Sequence, residues 1–305
     1  MTKVIFMGTP KISVKVLEAI CSFNNVQLLM VVSQPDKQTN RKKAIVYSPV
    51  KKYCLDNQIT IIQPNKIIDA YDEIKNTHPD IVITCAYGQF VPQKILDLPT
   101  IGCFNLHASL LPKLRGGAPI HWSIINGDCV TGVTLMKMVL QMDAGDIISQ
   151  KECLIEQNET TKSLTLKLAD LAAEVLKDNW TNLVMQKYAS VPQDSRAATF
   201  GYNISKQDTI VDFNKSCQQI DCLIRGLYDK PIAVWQYKDM AIKIHEAHPT
   251  NIVSNLPPGT ISKVDKTGVY VATSDFDLQI TKLQLPNKNV VAVHELINGH
   301  HPFKS

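Results

Sequence analysis

The first hundred or so residues alternate short runs of continuous apolar residues with stretches whose apolar positions recur three or four apart. Lys3 to Met7 predicts a strand. Val14, Leu17, Ala19 and Ile20 then follow helical spacing, with Thr9 placed as the N-cap and Pro10 suited to the first helical position. Val26 to Val32 predicts the next strand. The stretch from Gln34 to Ser48 carries turn residues and charge with little periodicity, so it reads as a long loop, and long loops in compact domains tend to be functional. A helix from Pro49, a strand at Thr60 to Ile62, a helix near Ile67 to Lys75 and strands at Ile81 to Thr84 and Gly102 to His107 complete the series. Strands separated by helices imply βαβ units and a mostly parallel, doubly wound, Rossmann-like α/β sheet. Continuous apolar strands are what burial on both faces requires.

The pattern changes further on. A helix is predicted from Thr161 to about Leu183, with Leu164, Leu168, Leu171, Val175 and Leu176 at helical spacing. Gln186 to Gln207 has no periodicity and holds Pro192 and Gly201, which marks a linker. A short helix (Cys217 to Leu227) then precedes closely spaced strands at Ala241 to Ile244, Gly259 to Val264, Val269 to Ala272 and Leu278 to Gln284. Their Pro-Gly and Lys-Thr-Gly turns suggest a small OB-like β-barrel. The expected organisation is a domain over 1–185, a linker over 186–207 and a second domain over 208–305.

Composition narrows the class without naming a chemistry. With 305 residues, 45% hydrophobic and 20% charged, the chain has the make-up of an ordinary globular protein with room for about two domains. The apolar start is too short for a signal peptide, and no apolar run approaches the ~20 residues of a membrane helix, so a soluble cytoplasmic protein is expected. A monomer is expected too, though no residue pattern fixes the oligomeric state. The eight cysteines form no C-x-x-C pair and no spacing with histidine that would hold zinc, so no metal is expected and reduced thiols are. A net charge of +4 does not announce a nucleic-acid binder, but between Lys37 and Lys52 there are six basic residues and no acidic one. That run is either a polyanion site or a solvated loop.

Candidate chemistry lies at the end of the Gly102–His107 strand. Asn105 and His107 are two apart, so their side chains leave the same face. Together an amide and an imidazole can donate to one carbonyl oxygen, the arrangement that stabilises a tetrahedral intermediate, unless they merely satisfy nearby backbone. The Met142–Asp146 stretch breaks between two apolar runs, where Asp143 could reach His107 or serve only as a turn residue; turn chemistry suits Asp146.

The run F-N-L-H-A-S-L-L-P-K-L-R-G-G-A-P-I (104–120), followed by M-D-A-G-D (142–146), resembles the signature of the 10-formyltetrahydrofolate-dependent formyltransferases. This resemblance implies that Asn105, His107 and Asp143 are the catalytic trio. It also implies that Ser109, Leu110, Leu111 and Pro112, with the loop holding Tyr87 and Gly88, help bind the folate co-substrate. Outside the trio, Ile5 to Pro10, Ser33 to Asp36, Ser48 to Lys51, Ile204 to Lys206, Ile224 to Leu227, Pro258 to Ile261 and Val271 to Thr273 are similar to the branch that formylates methionyl-initiator tRNA. That branch implies tRNA contacts at Arg41, Lys42 and Lys43 and a tRNA-binding C-terminal barrel; a nucleotide-linked amino sugar is the alternative acceptor. The basic loop lacks the glycines usual around its arginine, Gln141 stands where glycine is common, and 228–235 lacks the usual Pro-Trp-Pro. These departures touch the RNA contacts and leave the trio intact.

Overall fold

A computed structural model describes residues 1–38, 45–253, 255–299 and 301–303. Two compact units make up the chain: Met1–Pro119 with Val130–Leu154 and Leu164–Tyr202, and Ile120–Cys129 with Ile155–Ser163 and Asn203–Ser305.

The first unit is built on strands β1 (Thr2–Gly8), β2 (Val26–Val32), β5 (Ile61–Ile62), β6 (Ile81–Cys85), β7 (Gly102–His107), β8 (Val130–Lys137) and β9 (Ile147–Leu154), in the order β5-β2-β1-β6-β7-β8-β9. Its first five strands pair in parallel, and β8 and β9 extend it antiparallel. Val4, Ile5, Phe6 and Met7 are all fully buried, so β1 is covered on both faces, as its uninterrupted apolar sequence requires. The chain leaves β1 toward β2 and β5, then returns to the other side of β1 for β6 and β7. That reversal is a topological switch point, and the crevice beyond the carboxyl ends of its strands is where such sheets bind ligands.

The helices up to residue 184 are α1 (Lys11–Cys21), α2 (Pro49–Asp56), α3 (Tyr71–Asn76), α4 (Gln93–Leu96), α5 (Pro119–Ile125) and α6 (Thr161–Val184), of which α5 from Ile120 on and α6 up to Ser163 fall in the second unit. Ser48 caps α2 by accepting from Lys51 N at 3.1 Å, with Pro49 in the first turn. Thr9 does not cap α1: Pro10 takes the N-cap position, and Thr9 Oγ1 instead donates to Tyr87 O at 2.9 Å, linking the ends of β1 and β6. The expected loop from Gln34 to Ser48 contains a short antiparallel pair, β3 (Lys37–Gln38) with β4 (Ile45–Val46). Two-residue strands carry too little pattern to be read from sequence.

In the second unit α7 (Cys217–Gly226) opens with a reciprocal cap between Ser216 and Gln219. A six-stranded antiparallel sheet follows, formed by β10 (Ala233–Tyr237), β11 (Met240–Val253), β12 (Ile261–Asp265), β13 (Gly268–Ala272), β14 (Phe276–Gln284) and β15 (Val290–Ala292), with α8 at Val293–Leu296. Ile220, Ile224 and Leu227 pack with Trp235, Ile242, Val269 and Ile280 in one core. This is the small antiparallel β-domain expected, but β11 runs far beyond Ala241 to Ile244, and β10 and β15 had no sequence counterpart. Bulges in the β11–β14 pairing break the alternation that would have revealed the full strand.

Candidate active site

Thr84 and Asn105 are register partners on β6 and β7, and Thr84 Oγ1 donates to Asn105 Oδ1 at 2.7 Å. With its oxygen committed, the Asn105 amide turns its N–H₂ away from Thr84, and among the described residues no acceptor takes it. Asn105 is only partly buried. A neutral donor is therefore available at the strand end, next to the switch point.

His107 is held more tightly and is 6% exposed. Its Nε2 lies 2.9 Å from Leu114 O, and its Nδ1 lies 3.6 Å from Asp143 Oδ1. A carbonyl oxygen can only accept, so Nε2 carries the proton in this geometry and Nδ1 faces the carboxylate. Both groups that hold the ring come from left-handed backbone: Leu114 has φ +57° and Asp143 φ +50°. Such conformations are uncommon for residues with a Cβ and gather at functional sites. Asp143 Oδ2 accepts from Gly116 N at 2.8 Å, which aims Oδ1 at the ring. Asp146 points to other partners: its carbonyl accepts from Lys137 N, and its carboxylate from Ser190 Oγ at 3.2 Å.

The 109–112 loop follows His107 and is fastened to β8 and β9. Thr134 Oγ1 donates to Ser109 O at 2.6 Å and accepts from Leu111 N at 3.1 Å, while Gln150 Nε2 donates to Leu111 O at 2.8 Å. Ser109 is buried with its hydroxyl donating to Lys113 O, and Leu111 is buried as well, so both shape the loop. Leu110 and Pro112 remain partly accessible. On the neighbouring loop Gly88, at φ +87°, is exposed, whereas Tyr87 is 4% exposed and its hydroxyl finds no partner among the described residues. Burial pushes the Tyr87 phenol above its ordinary range. Thr84, Thr134 and Gln150 had no motif of their own and act through strand register, whereas Leu114 and Gly116 lie in the 104–120 run but act through backbone atoms.

Models of the formyl transferase family match residues 2–179, and of its C-terminal domain residues 203–301. The chain belongs to the formyl transferase family. Among curated relatives of this formyl transferase, a methionyl-tRNA formyltransferase of Ureaplasma urealyticum is 47% identical over 302 residues, covering 99% of both chains. One of Bacillus mycoides is 39% identical over 305 residues, covering 99% of this chain and 97% of its own. Among solved structures, the sugar 3N-formyl transferase WlaRD with dTDP and 5-N-formyl-THF aligns with TM-score 0.68 at 23% identity, over 95% of this chain and 99% of that one. That likeness is one of fold. Arg41, Lys42 and Lys43 lie outside the described residues. No described helix is long and apolar enough to cross a membrane.

Proposed function

We propose that this formyl transferase moves the formyl group of 10-formyltetrahydrofolate onto the free amino group of methionyl-initiator tRNA, forming N-formylmethionyl-tRNA for translation initiation. The observation that carries the reading is the end of β7, where the Asn105 N–H₂, without an acceptor among the described residues, stands two residues from a buried His107 set against Asp143. The full-length likeness to methionyl-tRNA formyltransferases supports the acceptor.

The neutral methionyl amine attacks the formyl carbon, and the carbonyl oxygen gains the charge. Asn105 Nδ2 donates to that oxygen. His107 adds a second donor once its ring leaves the Leu114 carbonyl, with the Asp143 carboxylate still facing its Nδ1. The bond from carbon to the folate nitrogen then breaks, and that nitrogen takes the proton the amine gives up. Removing one such donor costs ~100-fold or more in rate.

Gly88, Leu110 and Pro112 offer the accessible folate surface, and Tyr87, Ser109 and Leu111 hold its shape. Arg41, Lys42 and Lys43 neutralise tRNA phosphates, joined by the β-domain over 208–305 beyond the 186–207 connection. All three residues of the trio lie in one compact unit, which supports a monomer; the proposed place of action is the cytoplasm. Formyl transfer from the folate to charged initiator tRNA, run beside a nucleotide-linked amino sugar, is the test. Turnover with tRNA and none with the sugar is expected; the reverse preference would overturn the acceptor assignment.

A further inference from the structure

The trio is held from an unexpected direction. Gln193 lies in the aperiodic stretch after α6, and its side-chain amide makes four hydrogen bonds. Its Oε1 accepts from Arg115 Nε at 3.0 Å and Nη2 at 2.7 Å, and its Nε2 donates to Asp143 O at 2.9 Å and Gly145 O at 2.7 Å. A guanidinium only donates and carbonyls only accept, so this orientation of the amide is the one that satisfies all four. Arg115 is 3% exposed, and its planar fork is directed at this amide rather than at a carboxylate.

The two backbone segments joined this way are the ones that hold His107. Arg115 lies between Leu114, whose carbonyl accepts from the ring, and Gly116, whose N–H aims the Asp143 carboxylate. The stretch around Gln193 fastens both. Val191 and Ile147 exchange two backbone bonds; Thr199 Oγ1 accepts from Leu114 N at 2.9 Å; and Thr199 O accepts from Arg115 N at 2.9 Å. The loop at Asp143 has no slack on its other side, because a Cβ on Gly145 would meet Lys137 O at 2.0 Å. Its left-handed backbone at Asp143 is thus fixed by a side chain fifty residues away in sequence.

We propose that Gln193 is a positioning residue for formyl transfer: it locks the Asp143 backbone so that the carboxylate stays on His107. The segment 191–201 is then part of the catalytic frame as well as a connection. The proposal rests on the formyl-transfer reading.

The test is a kinetic double-mutant cycle using Gln193→Glu and Gln193→Met, each in wild-type and Asp143→Asn backgrounds. Glutamate still accepts from Arg115 but cannot donate to the two carbonyl oxygens; methionine keeps the length and loses all four bonds. The expected result is a fall in kcat of about 10- to 100-fold for either variant, since a small misplacement of a reacting group has effects of this size. KM for folate and for charged tRNA should stay within about two-fold, because neither ligand surface has moved. In the Asp143→Asn background the same substitutions should cost less than about three-fold, because the carboxylate they position is gone. Wild-type kcat in both variants, or an equal fall in both backgrounds, would overturn the proposal. Imidazole nitrogen shifts of His107 read the clamp without substrate: they change in the Gln193→Met protein if the proposal holds, and unchanged shifts would refute it. An inactive wild-type protein would instead refute the formyl-transfer reading.

Discussion

Replacing Thr84 with valine removes one hydroxyl from a buried position and leaves the shape almost unchanged. Thr84 is 3% exposed, and its Oγ1 sits 2.7 Å from Asn105 Oδ1, with weaker approaches to Phe104 O at 3.4 Å and Met138 Sδ at 3.3 Å. In the wild-type protein that hydroxyl biases the Asn105 amide toward the orientation that leaves its N–H₂ free, which the proposed mechanism uses on the formyl oxygen. A net hydrogen bond is worth about 0.5–1.5 kcal/mol, so losing the bias lowers kcat about 2- to 13-fold. The effect must stay below the ~100-fold of deleting the donor in Asn105→Ala. KM for either substrate is expected to hold, since the amide matters most when charge has developed on the oxygen. The assay is steady-state formyl transfer with both substrates varied, together with a thermal melt. Thr84→Ser, which restores a hydroxyl, should recover most of kcat. An unchanged kcat in Thr84→Val, or a loss that Thr84→Ser does not reverse, would refute the argument that this hydroxyl orients the amide.

Other outcomes follow from the same geometry. In Gly132→Ala the new Cβ would meet Lys151 O at 2.1 Å and Leu110 Cδ2 at 2.6 Å, so β8 must part from β9 and the 109–112 loop must shift. A destabilisation of about 1–3 kcal/mol by denaturant melt and a raised folate KM are expected. Burial pushes the thiols of Cys54, Cys85 and Cys103 up to about 12 and that of Cys217 to about 11. At pH 8 these groups are almost wholly protonated, so alkylation followed by mass spectrometry should label the exposed Cys129 long before them and reach them only on unfolding. Replacing Arg41, Lys42 and Lys43 together with alanine should raise KM for charged tRNA and flatten its salt dependence by about three phosphate contacts at most, with folate KM unchanged. Filter binding at two salt concentrations checks this.

The parallel sheet was legible because its strands are continuous apolar runs between amphipathic helices, and β7 was placed from Gly102 to His107. The proposed trio could be named from the sequence because Asn105 and His107 share a strand face and the family resemblance of the surrounding run adds Asp143. What was hidden depends on register or on backbone atoms. Thr84 reads as one more residue in an apolar strand until β6 is laid beside β7. The Leu114 carbonyl and the Gly116 N–H leave no trace in side-chain pattern. Gln193 sits in a stretch whose lack of periodicity suggests a connector, yet its order comes from side-chain bonds to distant backbone, which periodicity cannot report. Thr9 illustrates the same competition: its hydroxyl fits a helix cap, and a tertiary bond to Tyr87 O takes it instead.

In the proposed reaction Asn105 and His107 act on the oxygen that gains charge. Single-turnover formyl transfer by Asn105→Ala and His107→Ala, with charged tRNA affinity measured on the same preparations, tests this most directly. The expected result is a fall of ~100-fold or more in the rate of the chemical step for each variant, with tRNA affinity close to wild type. A near-wild-type rate in either variant, or a loss of rate matched by an equal loss of tRNA affinity, would contradict it.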